Sequence, residues 1–423
     1  MQTANLNIKN TSEILNLYLR TRERTLDIAD PLEIEDMVIQ ANPDCSPVKW
    51  HLAHTTWFFE KFIASKFITN YEIFDRSFDY LFNSYYEGIG RYFPKDKRGT
   101  VSRPTVSEVL KYRKYIDSVI ENLLKNGKAS SEVLDLIELG INHEEQHQEL
   151  MLMDIKMAFF NHPDYPAYRK DLKSESSKKN VKQKWYSFDE GLFNVGFDGA
   201  GFCFDNETPS HKEWLNAFRI SSRLVINEEF LNFIIDDGYH KPELWLSDGW
   251  NWVKSNNIEH PLYWVKERDD YSIFTLSGLQ KIKLNEPVSH ISYFEADAFA
   301  RWYGKRLPTE PEWERAFSHY EMTGTENFLE SGYLKPTSCS TSGLSQGFGD
   351  LWEWTKSPYL PYPGSRPAQG DIGEYNHKFM SGQMVLKGGS YGTPRDHIRL
   401  TYRNYFQPDK RWAFTGIRLA EDR

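Results

Sequence analysis

The chain has 423 residues, of which 15 % are aromatic, including 13 Trp and 24 Tyr, and it carries a formal net charge of −9. That length exceeds one ordinary core, so two domains are expected. Such a composition excludes a disordered chain. With no block of lysines or arginines it also excludes a nucleic-acid stripe and leaves small molecules as the expected partners. Cys45, Cys203 and Cys339 lie far apart and form no C-x-x-C, which reads as inert thiols in a reducing cytoplasm. The opening MQTANLNIKN is polar, without the apolar core of a signal peptide. No apolar run approaches the roughly 18 residues needed to span a bilayer. A cytoplasmic location without membrane partners is therefore expected. The outer faces of the helices show no long apolar seam, and oligomeric state is left open.

From Thr11 to Phe160 the pattern is helical. A first helix is predicted from Ser12 to Ile28. Ser46-Pro47 is expected to open a second, with Ser as N-cap and Pro at N1. On it Trp50, His54, Trp57 and Phe58 fall at i, i+4, i+7 and i+8, so His54 shares a face with large apolar groups. Residues 82–103 look irregular. Thr105-x-x-Glu108 is a capping box that starts a third helix, ending near Asn126-Gly127. Ser131 is expected to cap the fourth.

The fourth helix carries His143-Glu-Glu-Gln-His147. Two histidines at i and i+4 point the same way, so both rings can reach one ion. His143, His147, Leu150 and Asp154 line one face. Facing helices of a bundle build metal sites, and His54 is the natural third ligand. A lone histidine on an apolar face is usually a hydrogen-bonded core residue. Three inward histidines among apolar neighbours would leave costly unpaired nitrogens, which a metal resolves. The spacing also fits H-E-x-x-H of zinc peptidases, with Glu144 as general base.

Residues 169–184 are almost entirely charged or small and polar, and are read as a surface connection between a helical domain 1–168 and a second domain 185–423. Beyond it, short strands, Gly turns and Trp residues replace long helices. A strand is predicted over 218–226, with Asn227 capping the helix after it. Ser292-x-x-Glu295 and Thr309-x-x-Glu312 are capping boxes, and no helix is predicted past Glu330. An α+β domain rich in turns is expected.

Arg306-Leu-Pro-Thr-Glu-Pro-Glu-Trp-Glu314, Gly349-Asp-Leu-Trp-Glu-Trp-Thr355, Gly388-Gly-Ser-Tyr391 and Gly416-Ile-Arg-Leu419 resemble the formylglycine-generating-enzyme domain, a C-type-lectin-like fold. Trp50-His-Leu-Ala-His54 with His143 to His147 resembles a DinB-like four-helix bundle. The fusion resembles the sulfoxide synthases of ergothioneine biosynthesis, the EgtB family, over nearly the whole chain. Asn83-Ser-Tyr-Tyr-Glu-Gly-Ile-Gly90, Arg98-Gly99 and Ser102-Arg-Pro-Thr105 resemble the branch with a tyrosine pair before the third helix. Copper-dependent formylglycine enzymes rely on a late cysteine pair, and no cysteine follows Cys339 here.

That resemblance implies Fe(II) held by His54, His143 and His147, with His51 not a ligand. It implies C–S bond formation between the sulfur of cysteine, or γ-glutamylcysteine, and imidazole C2 of hercynine (Nα-trimethylhistidine), with O₂ oxidising the sulfur to a sulfoxide. Gln146 resembles an imidazole-orienting glutamine. Tyr85 and Tyr86 are the candidate proton donors in oxygen activation. Arg98 resembles a residue for the thiol's carboxylate. Lys95 stands where the branch more often has Arg, which leaves the thiol donor open. Asn404, Tyr405 and Phe406 match the part expected to line a trimethylammonium pocket. Ovothiol- and selenoneine-type synthases, a zinc peptidase, a thiol S-transferase and a lectin-like binding protein are the rival readings.

Overall fold

The computed structural model describes residues 10–127, 129–174, 181–268, 270–340 and 343–423. The chain divides into two compact units, Met1–Asn161 and His162–Arg423.

The first unit is built on four long helices among the described residues: α1 (Thr11–Ala29), α2 (Val48–Phe59), α5 (Val106–Lys125) and α6 (Ser131–Phe160), with short α3 (Ser65–Phe67) and α4 (Phe78–Leu81) between α2 and α5. Asn10 caps α1 by accepting from the Ser12 amide. Thr105 and Glu108 close the expected capping box on α5. Two caps differ from expectation by one residue. The fourth long helix is capped by Ser130, whose Oγ accepts from the Val133 amide. At α2, Pro47 takes the cap position and Ser46 lies outside the helix, its amide donating to Asp154 instead.

Every residue of α2 is buried. It is buried on every side although it carries Lys49, two histidines and two threonines, so it needs neighbours and polar partners all round. Accordingly α2 packs against α5 and α6, while α1 packs against the same two helices, which closes a ring of four. Gly140 of α6 makes this approach close: a Cβ there would stand 2.6 Å from the Phe59 ring. Past Phe59, α2 continues through a π turn, Glu60–Ala64.

The second unit carries helices α7 (Asn227–Ile235), α8 (Ser247–Asn256), α9 (Tyr293–Trp302) and α10 (Glu310–Phe317) and twelve short strands among its described residues. β1 (Trp185–Phe188), β4 (Phe218–Ser221) and β12 (Ala420–Asp422) form one antiparallel sheet in the order β1-β4-β12. β8 (Trp352–Pro358), β9 (Met384–Lys387), β10 (Asn404–Phe406) and β11 (Thr415–Gly416) form another in the order β10-β9-β8-β11. β2 (Gly191–Val195) pairs with β3 (His211–Leu215). β5 (Trp264–Glu267), β6 (Asp270–Thr275) and β7 (Gly278–Lys281) make a three-stranded meander.

The strand predicted over 218–226 ends at Ser221. There Ser221 Oγ donates to the Arg223 carbonyl, and the Arg223 guanidinium donates to the Leu224 and Val181 carbonyls, which turns the chain. Asn227 does not cap α7; its side-chain Nδ2 donates to the Lys283 carbonyl, and Glu229 accepts from the Ile226 amide. Both capping boxes at α9 and α10 form as expected, and past Glu330 only short 3-10 turns occur among the described residues.

The expected connection 169–184 is described at 169–174 and 181–184. Its first part is already tied into the second unit, with the Arg169 amide on the Leu276 carbonyl at 3.0 Å and the Lys173 amide on the Gly332 carbonyl at 3.2 Å. Polar composition marks solvent contact, not detachment. No described helix is long and apolar enough to cross a membrane.

Candidate metal centre

Among the described residues, one group of His, Cys, Asp or Glu could hold a metal: His54, His143 and His147, all buried, with ligand nitrogens within 4.8 Å of one another. His54 sits in the middle of α2, and His143 and His147 sit one turn apart on α6. Their ring centroids are 4.9, 4.8 and 4.6 Å apart. The Nε2 atoms of His54 and His143 lie 3.2 Å apart. Two nitrogens each about 2.1 Å from a shared ion stand at about this separation, so the pair fits common ligation.

The protonation states fit as well. Burial pushes all three imidazoles below their ordinary range, His143 to about 3, with the neighbouring imidazoles adding to the shift at His54 and His147. Neutral imidazole is the form that binds metal. His54 Nδ1 lies 2.6 Å from the Phe82 carbonyl. A carbonyl only accepts, so the proton is on Nδ1 and the Nε2 lone pair faces His143.

His51, set aside as a ligand from sequence, lies next to the three. Its Nδ1 is 2.7 Å from His147 Nδ1 and its Nε2 is 3.0 Å from Asp154 Oδ2. The signal was present: His51 precedes His54 by three residues, and Asp154 follows His147 by seven on the same helix face.

Glu144 follows His143 yet faces elsewhere. Its carboxylate accepts from Arg22 Nη1 and Thr25 Oγ1 at 2.7 and 2.6 Å, and from Arg113 Nη2. Burial alone would raise this carboxyl; Arg113 and Arg22 outweigh it and hold it at about 2. A base so weak, tied to two guanidinium groups, cannot activate water at neutral pH. That removes the zinc-peptidase reading.

Arg98 is buried, with its guanidinium carbon over Trp50, 3.4 Å from the ring centroid. Trp50 in turn stacks on His54 at 4.5 Å and 12°. Arg98 donates to Ser46 Oγ and Ser84 Oγ at 2.9 and 3.0 Å, and its Nε meets no acceptor among the described residues. No described carboxylate pairs with this buried cation, so donors remain for an anion. Lys95, at the start of the same 3-10 turn (Lys95–Thr100), is exposed.

Tyr85 and Tyr86 lie ring to ring at 4.6 Å. Tyr86 is fully buried against Phe62 and Trp57, and Trp57 stacks on His54. Tyr85 is half-buried. Gln146 is half-buried on α6, three residues after His143 and so on the same side of the helix.

Asn404, Tyr405 and Phe406 form β10 in the second unit. Successive strand residues face opposite sides, so the three do not line one surface. Tyr405 stacks on Tyr359 at 4.0 Å and its hydroxyl donates to Asn376. Asp205 accepts from Asn376 Nδ2 and bonds His377, bracing that turn. Tyr405 therefore packs as scaffold, while Asn404 and Phe406 share the other face.

Unit by unit, the fold and the site define a helical bundle with a three-histidine cluster, followed by a sulfatase-modifying-factor-type domain. Residues 172–337 and 318–423 match the family model described as Sulfatase-modifying factor enzyme 1-like domain. The chain is 30 % identical to the hercynine oxygenase of Mycobacterium tuberculosis, over 95 % of this chain and 97 % of that protein. It is 31 % identical to the hercynine oxygenase of Mycolicibacterium smegmatis, over 67 % of this chain and 71 % of that protein. Ergothioneine biosynthesis protein 1 of Schizosaccharomyces pombe is 27 % identical over 52 % of this chain and 28 % of that protein. The chain belongs to the hercynine oxygenase family.

Proposed function

We propose that this chain joins a cysteine-type sulfur to imidazole C2 of hercynine and oxidises that sulfur to a sulfoxide with O₂, in ergothioneine biosynthesis. The observation that carries the reading is the convergence of three neutral, buried imidazoles on one point, in a chain that matches a hercynine oxygenase along nearly its whole length. The reaction balances without an outside reductant. C2 and the thiol each lose one hydrogen, the C–S bond forms, one oxygen atom becomes the sulfoxide and the other leaves as water. Both substrates together supply the four electrons.

His54, His143 and His147 would hold Fe(II), which would supply the redox chemistry of O₂ activation. Around it the chain binds, orients and moves protons. Gln146, on the His143 side of α6, is proposed to hydrogen-bond the hercynine imidazole. Tyr85 and Tyr86 are the proposed proton source: a phenol is neutral until it gives up its proton, so the resting site holds no charge there beside the aromatic cluster. Arg98 is proposed to receive the thiol's carboxylate. A buried cation without an ion partner is costly, and a substrate carboxylate offsets that cost by a charge-assisted contact. Cysteine is the proposed thiol, and γ-glutamylcysteine is the alternative that the assay below separates from it. The trimethylammonium has no N–H to donate; Asn404 and Phe406 are the residues to substitute for its contacts, with KM for hercynine as the readout.

The test is anaerobic loading with Fe(II), then O₂ with hercynine and either thiol, read by mass spectrometry. The expected product is the hercynine–cysteine sulfoxide. Absence of any O₂-dependent conjugate with both thiols would overturn the reading. Turnover of histidine in place of hercynine would move the chain to the ovothiol-type branch.

A further inference from the structure

We infer that His51 and Asp154 are positioning residues that fix the tautomer of His147, and that the direction of this short hydrogen-bond chain is set at its far end by Asp154. The inference rests on reading His54, His143 and His147 as the metal ligands.

The two helices treat their ligands differently. His54 needs no helper, because its Nδ1 faces the Phe82 carbonyl, an acceptor only. His147 has no such fixed partner at Nδ1; it faces a second imidazole, His51, at 2.7 Å. An imidazole can donate or accept at either nitrogen, so this contact alone leaves open where the protons lie. If His51 donated, His147 Nδ1 would accept, and its own proton would move to Nε2 and block ligation.

Asp154 removes the ambiguity. Its Oδ2 lies 3.0 Å from His51 Nε2 and also takes the Ser46 amide at 2.8 Å. An amide N–H can only donate, so that oxygen is an acceptor. His51 therefore carries its proton on Nε2 and presents a lone pair at Nδ1. His147 donates into that lone pair, and its Nε2 is left with the lone pair a metal needs. All four residues are buried, so water does not substitute for a missing partner.

The arrangement continues outward. Ser46, whose amide meets Asp154, accepts at Oγ from Arg98 Nη1 at 2.9 Å. The orientation of a metal ligand and that of the buried guanidinium thus share one residue. Outer partners of ligating histidines commonly tune metal affinity by about 10- to 100-fold.

The test compares His51→Phe with His51→Gln. Phe fills the space and removes both hydrogen bonds. Gln offers an amide oxygen to His147 and an amide N–H to Asp154, spaced much as the two ring nitrogens are. Co(II) is titrated anaerobically into each protein, and both affinity and the visible d–d bands are recorded, with circular dichroism as the check on folding. For His51→Phe the expected result is about 10- to 100-fold weaker Co(II) binding with shifted bands, and for His51→Gln recovery of most of the affinity and of the wild-type spectrum. Wild-type affinity and bands in His51→Phe would overturn the inference. Equal loss in both variants would also overturn it, because only packing would then matter. His143→Ala serves as the control: if it binds Co(II) like the wild type, the ligand reading itself fails.

Discussion

His143 and Glu144 are neighbours on α6 with opposite duties. His143 faces His54, while Glu144 joins α6 to α1 and α5 through Arg22 and Arg113. Removing one partner of a buried ion pair leaves an uncompensated charge and costs about 3–5 kcal/mol. Glu144→Ala takes the carboxylate from Arg113 while Arg22 keeps its ion pair with Asp117, so it should lose about that much, read as a lower urea midpoint. Glu144→Gln keeps one acceptor oxygen and should lose less. At the centre itself, His54→Ala, His143→Ala and His147→Ala should each lose most bound iron, measured by elemental analysis of protein purified without oxygen. Retention of full iron by one variant would strike that residue from the ligand set. Tyr85→Phe and Tyr86→Phe should shift product from sulfoxide towards the thiol's sulfinic acid, measured by mass spectrometry. Unchanged ratios in both would end the proton-donor role. The histidine group was legible because i, i+4 spacing is a local property. The fate of Glu144 was not, because Arg22 and Arg113 lie on other helices and no spacing rule connects them.

At the scale of elements, α2 and α6 must approach closely for their histidines to meet, and Gly140 is what permits it. A Cβ at 140 would meet Phe59 Cε1 at 2.6 Å and Phe58 Cδ1 at 3.2 Å. Both rings are buried and have little room to yield. Phe58 also packs on His143 at 4.8 Å, so a displaced ring carries the disturbance into the centre. Gly140→Ala gains up to about 1 kcal/mol of helix propensity, against about 1–3 kcal/mol for overpacking. Gly140→Val adds two further methyl groups and forfeits much of that propensity. The Ala variant should be near-neutral to mildly destabilised, and the Val variant clearly destabilised with weaker Co(II) binding. A Val variant as stable as the wild type would show that the helices can part. Long helices were readable from apolar periodicity and capping boxes, with one-residue slips where two serines stand in succession or where Pro takes the cap. α8 was missed because its sequence, Ser247 to Asn256, holds Gly249, Asp248 and two Asn, all poor helix formers. Tertiary packing of Gly249 on Phe294 overrides that preference.

Across the whole molecule, the motifs that carried the resemblance in the second unit turn out to hold the fold. Arg306 clasps Glu312, Glu310 takes Arg403, Glu314 takes Lys387, and Trp313 donates to Glu353, which also binds Arg418 through two nitrogens. Except for Arg306–Glu312, those contacts were invisible in sequence because each joins segments tens of residues apart. A buried lysine of the first unit belongs to the same scale. Lys156 of α6 is almost fully buried, and burial lowers its ammonium from 10.5 to about 7. In the unfolded chain it titrates near 10.5. Between those values the unfolded state binds the extra proton, so stability falls as pH drops from about 10.5 to about 7. Below about 7 both states are protonated and the loss is constant. At about 1.4 kcal/mol for each tenfold change in acidity, the penalty at neutral pH is several kcal/mol. Lys156→Met keeps the length and removes the charge. It should raise the denaturation midpoint by several degrees at pH 7, with the difference shrinking steadily and vanishing above about pH 10.5. Thermal and urea unfolding of the full chain from pH 6 to 11 reads this directly. A stabilisation that did not change with pH would assign the gain to packing, and no stabilisation at pH 7 would show that Lys156 is accommodated at no cost.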